Sequence, residues 1–513
     1  MKIKSNILKI SIFATGLSGI VAQYILSTLA SYFLGDSTVQ WALTVSVMLF
    51  AMGLGARVSK YLDKMLLSKF IFIEYILSLF VSFASLFVYL YASYGEYLGI
   101  VIYSLTISIG FLIGLEIPIV IRLNDQFEKI KVNISSILEK DYYGSLLGGI
   151  FFAFVGLPYL GLTYTPFILG SVNFFVATLL FVMLYKESKE KYRKSILSFA
   201  AFIVIAISLG LTYAKPIILF GEQKRYVEKV VFAEQSSYQR IVLTQWKNDY
   251  YLFLNGNKQL STVDEEMYHE PLVHPIMKLA KEHKNVLILG GGDGCAVREI
   301  LKHKGVEHIT LVDLDPEMTR LAKENKILLG INKGSFFDKR VKIINQDGLN
   351  FLEDCKDFYD VIIVDLPDPR TLELAKLYSL EFYHLCKYRL KTNGFIITQS
   401  GSPYYASRAF KTINKTIEVA GFSTLPIHNQ VISFGEWGWV IGAKNMTKSE
   451  LKKAFLNIKF DDISTRWINE EALYLLSSFG KDIFDADTSK LMPNKISNPI
   501  LYKYYLNGKW DLY

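Results

Sequence analysis

Seven apolar stretches crowd the first 215 residues, at about positions 10–33, 39–52 with its flanks, 70–91, 98–121, 142–160, 166–184 and 196–213. A helix needs about 20 such residues to cross the hydrocarbon core of a bilayer. Inside that core every backbone amide and carbonyl must be satisfied within the segment, which a helix achieves. One such stretch reads equally well as a buried core helix, but seven in succession point to a transmembrane helical bundle. The first is too long, and has too many successors, for a cleaved signal peptide.

Charge marks the two ends of these spans. Lys2, Lys4 and Lys9, then Arg57, Lys60, Lys64 and Lys69, then Arg122, Lys129, Lys131 and Lys140, and finally Lys186, Lys189, Lys191, Arg193 and Lys194 lie in alternate loops, while the loops near Gly35, Tyr94 and Tyr159 carry no Lys or Arg. The positive-inside rule puts the N-terminus in the cytoplasm. These loops account for much of the net charge of +8, so the basic balance points to a lipid surface and not to nucleic acid. Seven spans from a cytoplasmic N-terminus carry the following chain to the outer face. Three arrangements stay open: the last stretch does not cross, one span is miscounted, or the following domain works outside. Among the spans, Glu116 lies deeper in an apolar segment than Glu74 or Asp141, and an intramembrane acid is a functional hypothesis by default.

From residue 285 the pattern changes. Val286-Leu287-Ile288-Leu289, a run without alternation, suits a central parallel strand covered on both faces. It leads into Gly290-Gly291-Gly292-Asp293-Gly294, a turn that lets the backbone approach a ligand closely. Strands expected at 309–312, 341–345 and 359–364 end in Asp313, in Gln346-Asp347-Gly348 and in Asp365-Leu366-Pro367-Asp368-Pro369. Ligands of open α/β sheets bind outside the carboxyl ends of the strands, so Asp293, Asp313, Asp347, Asp365 and Asp368 are expected to converge on one strongly anionic crevice. Asp313, about twenty residues past the glycines, stands where an acid meets a ribose. There is no Gly-Lys-Ser/Thr phosphate loop and no His/Cys cluster at metal-ligand spacing, and Cys295, Cys355 and Cys386 form no CxxC pair. A cationic ligand is favoured.

These motifs, with Gln399-Ser400-Gly401-Ser402-Pro403 behind them and Ser237-Tyr238-Gln239-Arg240, Leu254-Asn255-Gly256-Asn257-Lys258-Gln259 and Tyr268-His269-Glu270 ahead, resemble those of the spermidine synthases, the polyamine aminopropyltransferases, over about residues 230–444. The apolar half, with Leu26-Ser27-Thr28-Leu29-Ala30-Ser31-Tyr32 and Ala51-Met52-Gly53-Leu54-Gly55, is similar to the membrane region fused to such domains in some bacteria. The resemblance implies a multi-pass protein of the cell membrane: a helical transmembrane domain at 1–215, a linker and β-meander leader at 216–265, a Rossmann-like, class I methyltransferase-like domain at 266–445 and a helical tail at 446–513, with homo-oligomers possible.

It further implies transfer of the aminopropyl group of decarboxylated S-adenosylmethionine, a co-substrate, to putrescine or a related amine, with no metal. Asp365 would be the general base. Tyr268, His269, Asp293, Asp368 and Gln399 would hold the amine groups, and Gln239, Gly290, Gly292, Asp313, Asp347 and Gly348 the nucleoside. Three aromatic side chains and a carboxylate in Phe434-Gly435-Glu436-Trp437-Gly438-Trp439 suit an alkylammonium. After Pro369 the chain departs from the soluble members, which continue into a Gly-Pro turn; here Arg370 follows, and a longer polyamine stays open as acceptor. Two other classes stay open: an S-adenosylmethionine-dependent methyltransferase, against which five acids argue, and a polyamine transporter or sensor with a synthase-like domain.

Overall fold

The computed structural model describes residues 2–35, 37–92, 97–184, 190–480 and 490–510; the loop at Tyr94 and the lysines Lys186 and Lys189 lie outside them. The chain divides into two compact units, Met1–Thr244 and Gln245–Tyr513.

The first unit is a bundle of helices α1 (Lys2–Leu34), α2 (Ser37–Ser59), α3 (Leu66–Ala92), α4 (Leu98–Asn124), α5 (Ile130–Phe151), α6 (Gly161–Met183) and α7 (Glu190–Gln223), with α5 continued by a π-helical segment Phe152–Leu160. Six described helices are long and apolar enough to cross a membrane, one of them the 54-residue run Ile130–Met183. That run folds back on itself. At Gly161 φ is +61°, a left-handed conformation that glycine adopts without strain. The Thr165 hydroxyl donates to the Gly156 carbonyl at 2.8 Å, whereas nine residues of continuous helix would separate them by roughly 13 Å. The six runs are therefore seven rods.

Two sets of contacts fix their directions. Lys9 reaches Glu128 at 2.5 Å and the Arg122 guanidinium donates to the Ser59 carbonyl at 2.7 Å, which puts the start of α1 and the ends of α2 and α4 on one face, with their basic residues. On the opposite face Tyr103 donates to Gln40 at 2.6 Å and Tyr32 donates to Glu222. The last rod thus runs the full depth of the bundle, and the chain leaves it at the face opposite the basic loops. The expected exit at residue 215 is overrun: α7 continues through Lys215 and Pro216 to Gln223. Small residues allow the rods to approach closely; a Cβ on Gly144 would lie 2.0 Å from the Phe13 carbonyl oxygen. Strands β1 (Lys229–Gln235) and β2 (Arg240–Trp246) close this unit.

The second unit opens with the hairpin β3 (Asp249–Leu254) and β4 (Asn257–Ser261). Its turn is Asn255-Gly256 with φ of +50° and +80°, the pair that two-residue hairpins favour. Helix α8 (Glu266–Leu279) leads into a seven-stranded sheet of β5 (Asn285–Gly290), β6 (His308–Asp313), β7 (Val341–Asn345), β8 (Tyr359–Asp365), β9 (Leu390–Gly401), β10 (Ser423–Val431) and β11 (Gly435–Ala443). The spatial order is β10-β11-β9-β8-β5-β6-β7. β5 through β9 run parallel, while β11 is antiparallel to both β9 and β10. The closing hairpin is only weakly marked in the sequence. Its strands carry Pro426, Gly435, Gly438 and Gly442, which weaken a strand signal, and burial of Trp439 and Ile441 in the core outweighs that.

Candidate active site

The chain travels from β5 outward through β6 to β7, then returns past β5 to lay down β8 on its other side. This reversal leaves a crevice between the ends of β5 and β8, where open α/β sheets bind their ligands. There Gly290 lies in register with Asp365, and the Gly291 amide donates to the Asp365 carbonyl at 3.0 Å. Gly290 has φ +88°, and a Cβ on it would lie 2.0 Å from that same carbonyl oxygen. Only glycine fits. A Cβ on Gly292 would lie 2.5 Å from the Asp313 carboxylate, so the turn and the end of β6 are equally close.

Asp365 is one of two acids of this crevice whose carboxyls are pushed up, with Asp313. Burial pushes the Asp365 carboxyl up to about 6, His269 and the hydrogen bond from Tyr268 act against that rise, and the nearby Asp293 adds to it. The Tyr268 hydroxyl donates to Oδ1 at 2.7 Å. Tyr268 is held edge-on by Phe434 and tilted against Trp439, with ring centroids at 6.1 and 5.3 Å. His269 is buried, which alone would lower its imidazole; the Glu265 carboxylate 2.9 Å away overrides this and holds it at about 9, aided by Asp293 and Asp365. The imidazolium is therefore a fixed cation facing two acids. Glu265 is itself anchored by Arg298 at 2.7 Å.

The other expected residues separate into two groups. Asp313, half-buried, is pushed up to about 7, mainly by burial, while the Asp315 amide it accepts at 2.9 Å opposes the rise. Asp293 caps the helix α9 (Cys295–Ile300) by accepting the Cys295 amide at 2.7 Å. Asp347 and Asp368 are already engaged. Asp347 accepts the amides of Leu349 and Asn350 at the start of the helix Gly348–Asp354, and pairs with Lys376 at 2.8 Å. Burial alone would raise its carboxyl, and Lys376 with the two amides keeps it below the usual range. Asp368 accepts Gln399 Nε2 at 3.0 Å and the Tyr505 hydroxyl at 2.6 Å, with Arg370 3.4 Å away.

Three expectations are corrected here. The crevice is less anionic than five acids suggested, because Lys376 and Arg370 neutralise two of them. Glu436 is no free carboxylate for an amine: it pairs with His428 across the β10–β11 hairpin. His and Cys do cluster with acids in space, in Glu265–His269–Cys295 and Glu270–His274–Glu299, through contacts no sequence spacing reveals. Their carboxylates are taken up by protein donors: Glu265 by Arg298 and His269, Glu299 by His274, Arg298 and Lys302, and Glu270 by the amides of Arg466, Trp467 and Ile468.

Gln239 lies in the first unit, at the β1–β2 turn, where its amide donates to Ser236 Oγ at 2.9 Å. Sequence reasoning missed Tyr505, Tyr378 and Asn257. Tyr505 stands in an aromatic run that read only as packing, and nothing in its spacing tied it to Asp368, 137 positions away. Asn257 accepts from the Arg370 guanidinium, and Tyr378 accepts from Gln399 Nε2 at 3.2 Å.

A parallel sheet closed by an antiparallel hairpin, with a glycine turn facing a half-buried acid at its switch point, defines a Rossmann-like, class I methyltransferase-like domain. Residues 265–453 match the family described as Spermine/spermidine synthase domain. Over 506 residues the chain is 42% identical to the polyamine aminopropyltransferase 2 of Aquifex aeolicus (strain VF5), covering 98% of both chains. The polyamine aminopropyltransferase of Oceanobacillus iheyensis is 37% identical over 515 residues, 99% of this chain and 98% of the relative. A crystal structure of spermidine synthase in complex with the transition state analogue AdoDATO is 28% identical, with a TM-score of 0.44 over 49% of this chain and 84% of that one. The chain belongs to the polyamine aminopropyltransferase family and is an enzyme of that transferase class.

Proposed function

We propose that the chain transfers the aminopropyl group of decarboxylated S-adenosylmethionine to putrescine or a related aliphatic amine, releasing methylthioadenosine, with Asp365 as the general base. The observation that carries this reading is the half-buried Asp365, raised to about 6 and oriented by Tyr268 at 2.7 Å, beside the glycine turn at the sheet's switch point.

The chemistry is a displacement at carbon. The amine nitrogen attacks the methylene attached to the sulfonium, the carbon–sulfur bond breaks, and the thioether leaves neutral. A primary amine with a pKa near 10 arrives mostly protonated, so a base must take a proton as the lone pair is committed to carbon. A carboxylate near 6 lies about four units below the amine, so freeing the lone pair by passing its proton to Asp365 costs roughly 5 kcal/mol, a cost that forms part of the barrier. In this reading Gly290 and Gly292 admit the nucleoside, Asp313 accepts from the ribose hydroxyls and Asp347 with Gly348 borders the adenine. Asp293 attracts the donor's terminal ammonium and repels the carboxylate of S-adenosylmethionine. Tyr268, His269, Asp368 and Gln399 position the acceptor. The domains of this reading are a membrane part that runs to the end of α7 at Gln223, a leader from there to 265, 266–445 for catalysis and 446–513 for the tail, in a multi-pass protein of the cell membrane whose basic loops face the cytoplasm.

The test is incubation of the purified chain with decarboxylated S-adenosylmethionine and a panel of diamines and triamines, with products identified by mass spectrometry. Methylthioadenosine and an amine heavier by one aminopropyl group are expected. Consumption of S-adenosylmethionine with a methylated product overturns the reading in favour of a methyltransferase.

A further inference from the structure

We propose that the helical bundle carries a second cation site, centred on Glu116 of α4 and Glu74 of α3, that takes a protonated aliphatic amine. The proposal rests on the amine chemistry assigned above for its choice of ligand, and on the bundle alone for the existence of the site.

Glu74 and Glu116 are both fully buried, on helices that supply no lysine, arginine or histidine to either carboxylate. Thr15 of α1 donates to Glu74 Oε1 at 3.0 Å, and its hydroxyl also faces Glu116, which interacts in turn with Glu74 and with Asp141 of α5. One turn further along α1, Ser18 bonds Asn173 of α6 at 2.7 Å. Five helices thus turn polar side chains toward one region of an otherwise apolar interior.

What points to a ligand is the state of these groups. Neither oxygen of Glu116 has a hydrogen-bond partner, nor do Glu74 Oε2 and the amide nitrogen of Asn173, all buried. Protonation removes only part of the deficit, because the Thr15 oxygen can accept one O–H while Glu74 Oε2 and the other Glu116 oxygen still have no donor among the described residues. A buried polar group left in this state costs about 1–3 kcal/mol, and an acid inside a membrane domain is rare unless it serves a pathway or a site. An ammonium group supplies the missing donors and the opposite charge, and its methylene chain suits the apolar helix walls. Asn173 can present its carbonyl oxygen to the same ligand by rotating its amide, with Ser18 then accepting from the amide nitrogen. A compact metal ion fits less well: among the described residues, the sets of three His, Cys or acidic side chains whose ligand atoms lie within 4.8 Å of one another are elsewhere, in the second unit.

Equilibrium binding of radiolabelled spermidine to the full chain in detergent tests this. Two spermidine sites per chain are expected, one of which weakens at least roughly tenfold in Glu116→Gln and in Glu74→Gln, as loss of a charge-assisted bond requires. Aminopropyl transfer should stay within about twofold in both variants, since distant sites act independently. The other site should weaken in Asp368→Asn. Thermal melting checks that the variants fold, and Thr15→Val, which removes only the shared hydroxyl, provides a milder second probe of the same affinity. A wild type with no site that weakens in Glu116→Gln, unaltered spermidine binding in folded Thr15→Val, or a site that binds sodium ions and excludes spermidine each overturn the proposal. A Glu116-dependent spermidine site in a chain that transfers no aminopropyl group would instead refute the catalytic reading and leave this one standing.

Discussion

Asp365 concentrates what the crevice does at the scale of one side chain. Replacing it with asparagine keeps the shape and removes the proton acceptor, so Asp365→Asn should lower kcat by about 10²- to 10⁴-fold, the usual span for a general base, while methylthioadenosine binding measured by calorimetry stays nearly intact. Retention of more than half the wild-type rate would remove Asp365 from the role. In the proposed role its protonation would set the acidic limb of the pH profile. A base must be ionised to act, so kcat/KM should fall as pH drops through about 6, where Asp365 takes up its proton. The neighbours shift that limb in opposite directions. Tyr268 stabilises the ionised form, so Tyr268→Phe should move the limb to higher pH; Asp293 opposes ionisation, so Asp293→Asn should move it lower. Shifts of the same sign in both variants would contradict this electrostatic account.

At the scale of elements, the turn after β5 and the C-terminal tail set the geometry that the side chains use. Gly290→Ala forces a Cβ into the left-handed region and against the β8 carbonyl 2.0 Å away. Loss of about 2 kcal/mol or more is expected in denaturant unfolding, together with loss of nucleoside binding, because the whole turn must shift. The tail is stapled to the crevice by Asn494, whose side chain donates to the carbonyls of Ala375 at 2.8 Å and Tyr378 at 3.2 Å. This brings the helix Leu501–Leu506 and its Tyr505 onto Asp368. Arg370 competes with an incoming ammonium for that carboxylate. The guanidinium is 39% exposed, so its attraction is screened and modest. Arg370→Ala should therefore lower the KM for a diamine by only about two- to fivefold, with kcat little changed; a rise in KM would mean that Arg370 assists acceptor binding.

For the molecule as a whole, the question is whether the second unit needs the first. Its apolar cores are built from residues between Tyr268 and Tyr505, and both faces of its sheet are covered by its own helices. A fragment beginning at Lys224, which retains Gln239 and the β1–β2 pair, should unfold in one cooperative transition and transfer aminopropyl groups in detergent-free buffer. A fragment that folds and binds methylthioadenosine but turns over only when the helical part is restored would refute this independence.

The sequence by itself determined the class of each half. Period and run length separate membrane-length helices from buried strands without any tertiary information, and Gly290, Asp313 and Asp365 were legible because strand ends and glycine turns are local signals with fixed spacing. It also placed the basic loops on one face, since loop charge is counted along the chain. Only the tertiary structure decided how many of the five acids remain available: Lys376 and Arg370 lie near Asp347 and Asp368 through loop folding that periodicity does not encode, and Tyr505 arrives from 137 positions away. The same holds for the reversal at Gly161, which turns one helical run into two rods, and for the convergence of Thr15, Glu74 and Glu116 from three helices. Each depends on packing between segments distant in sequence, and a local pattern carries no record of which distant segment will be its neighbour.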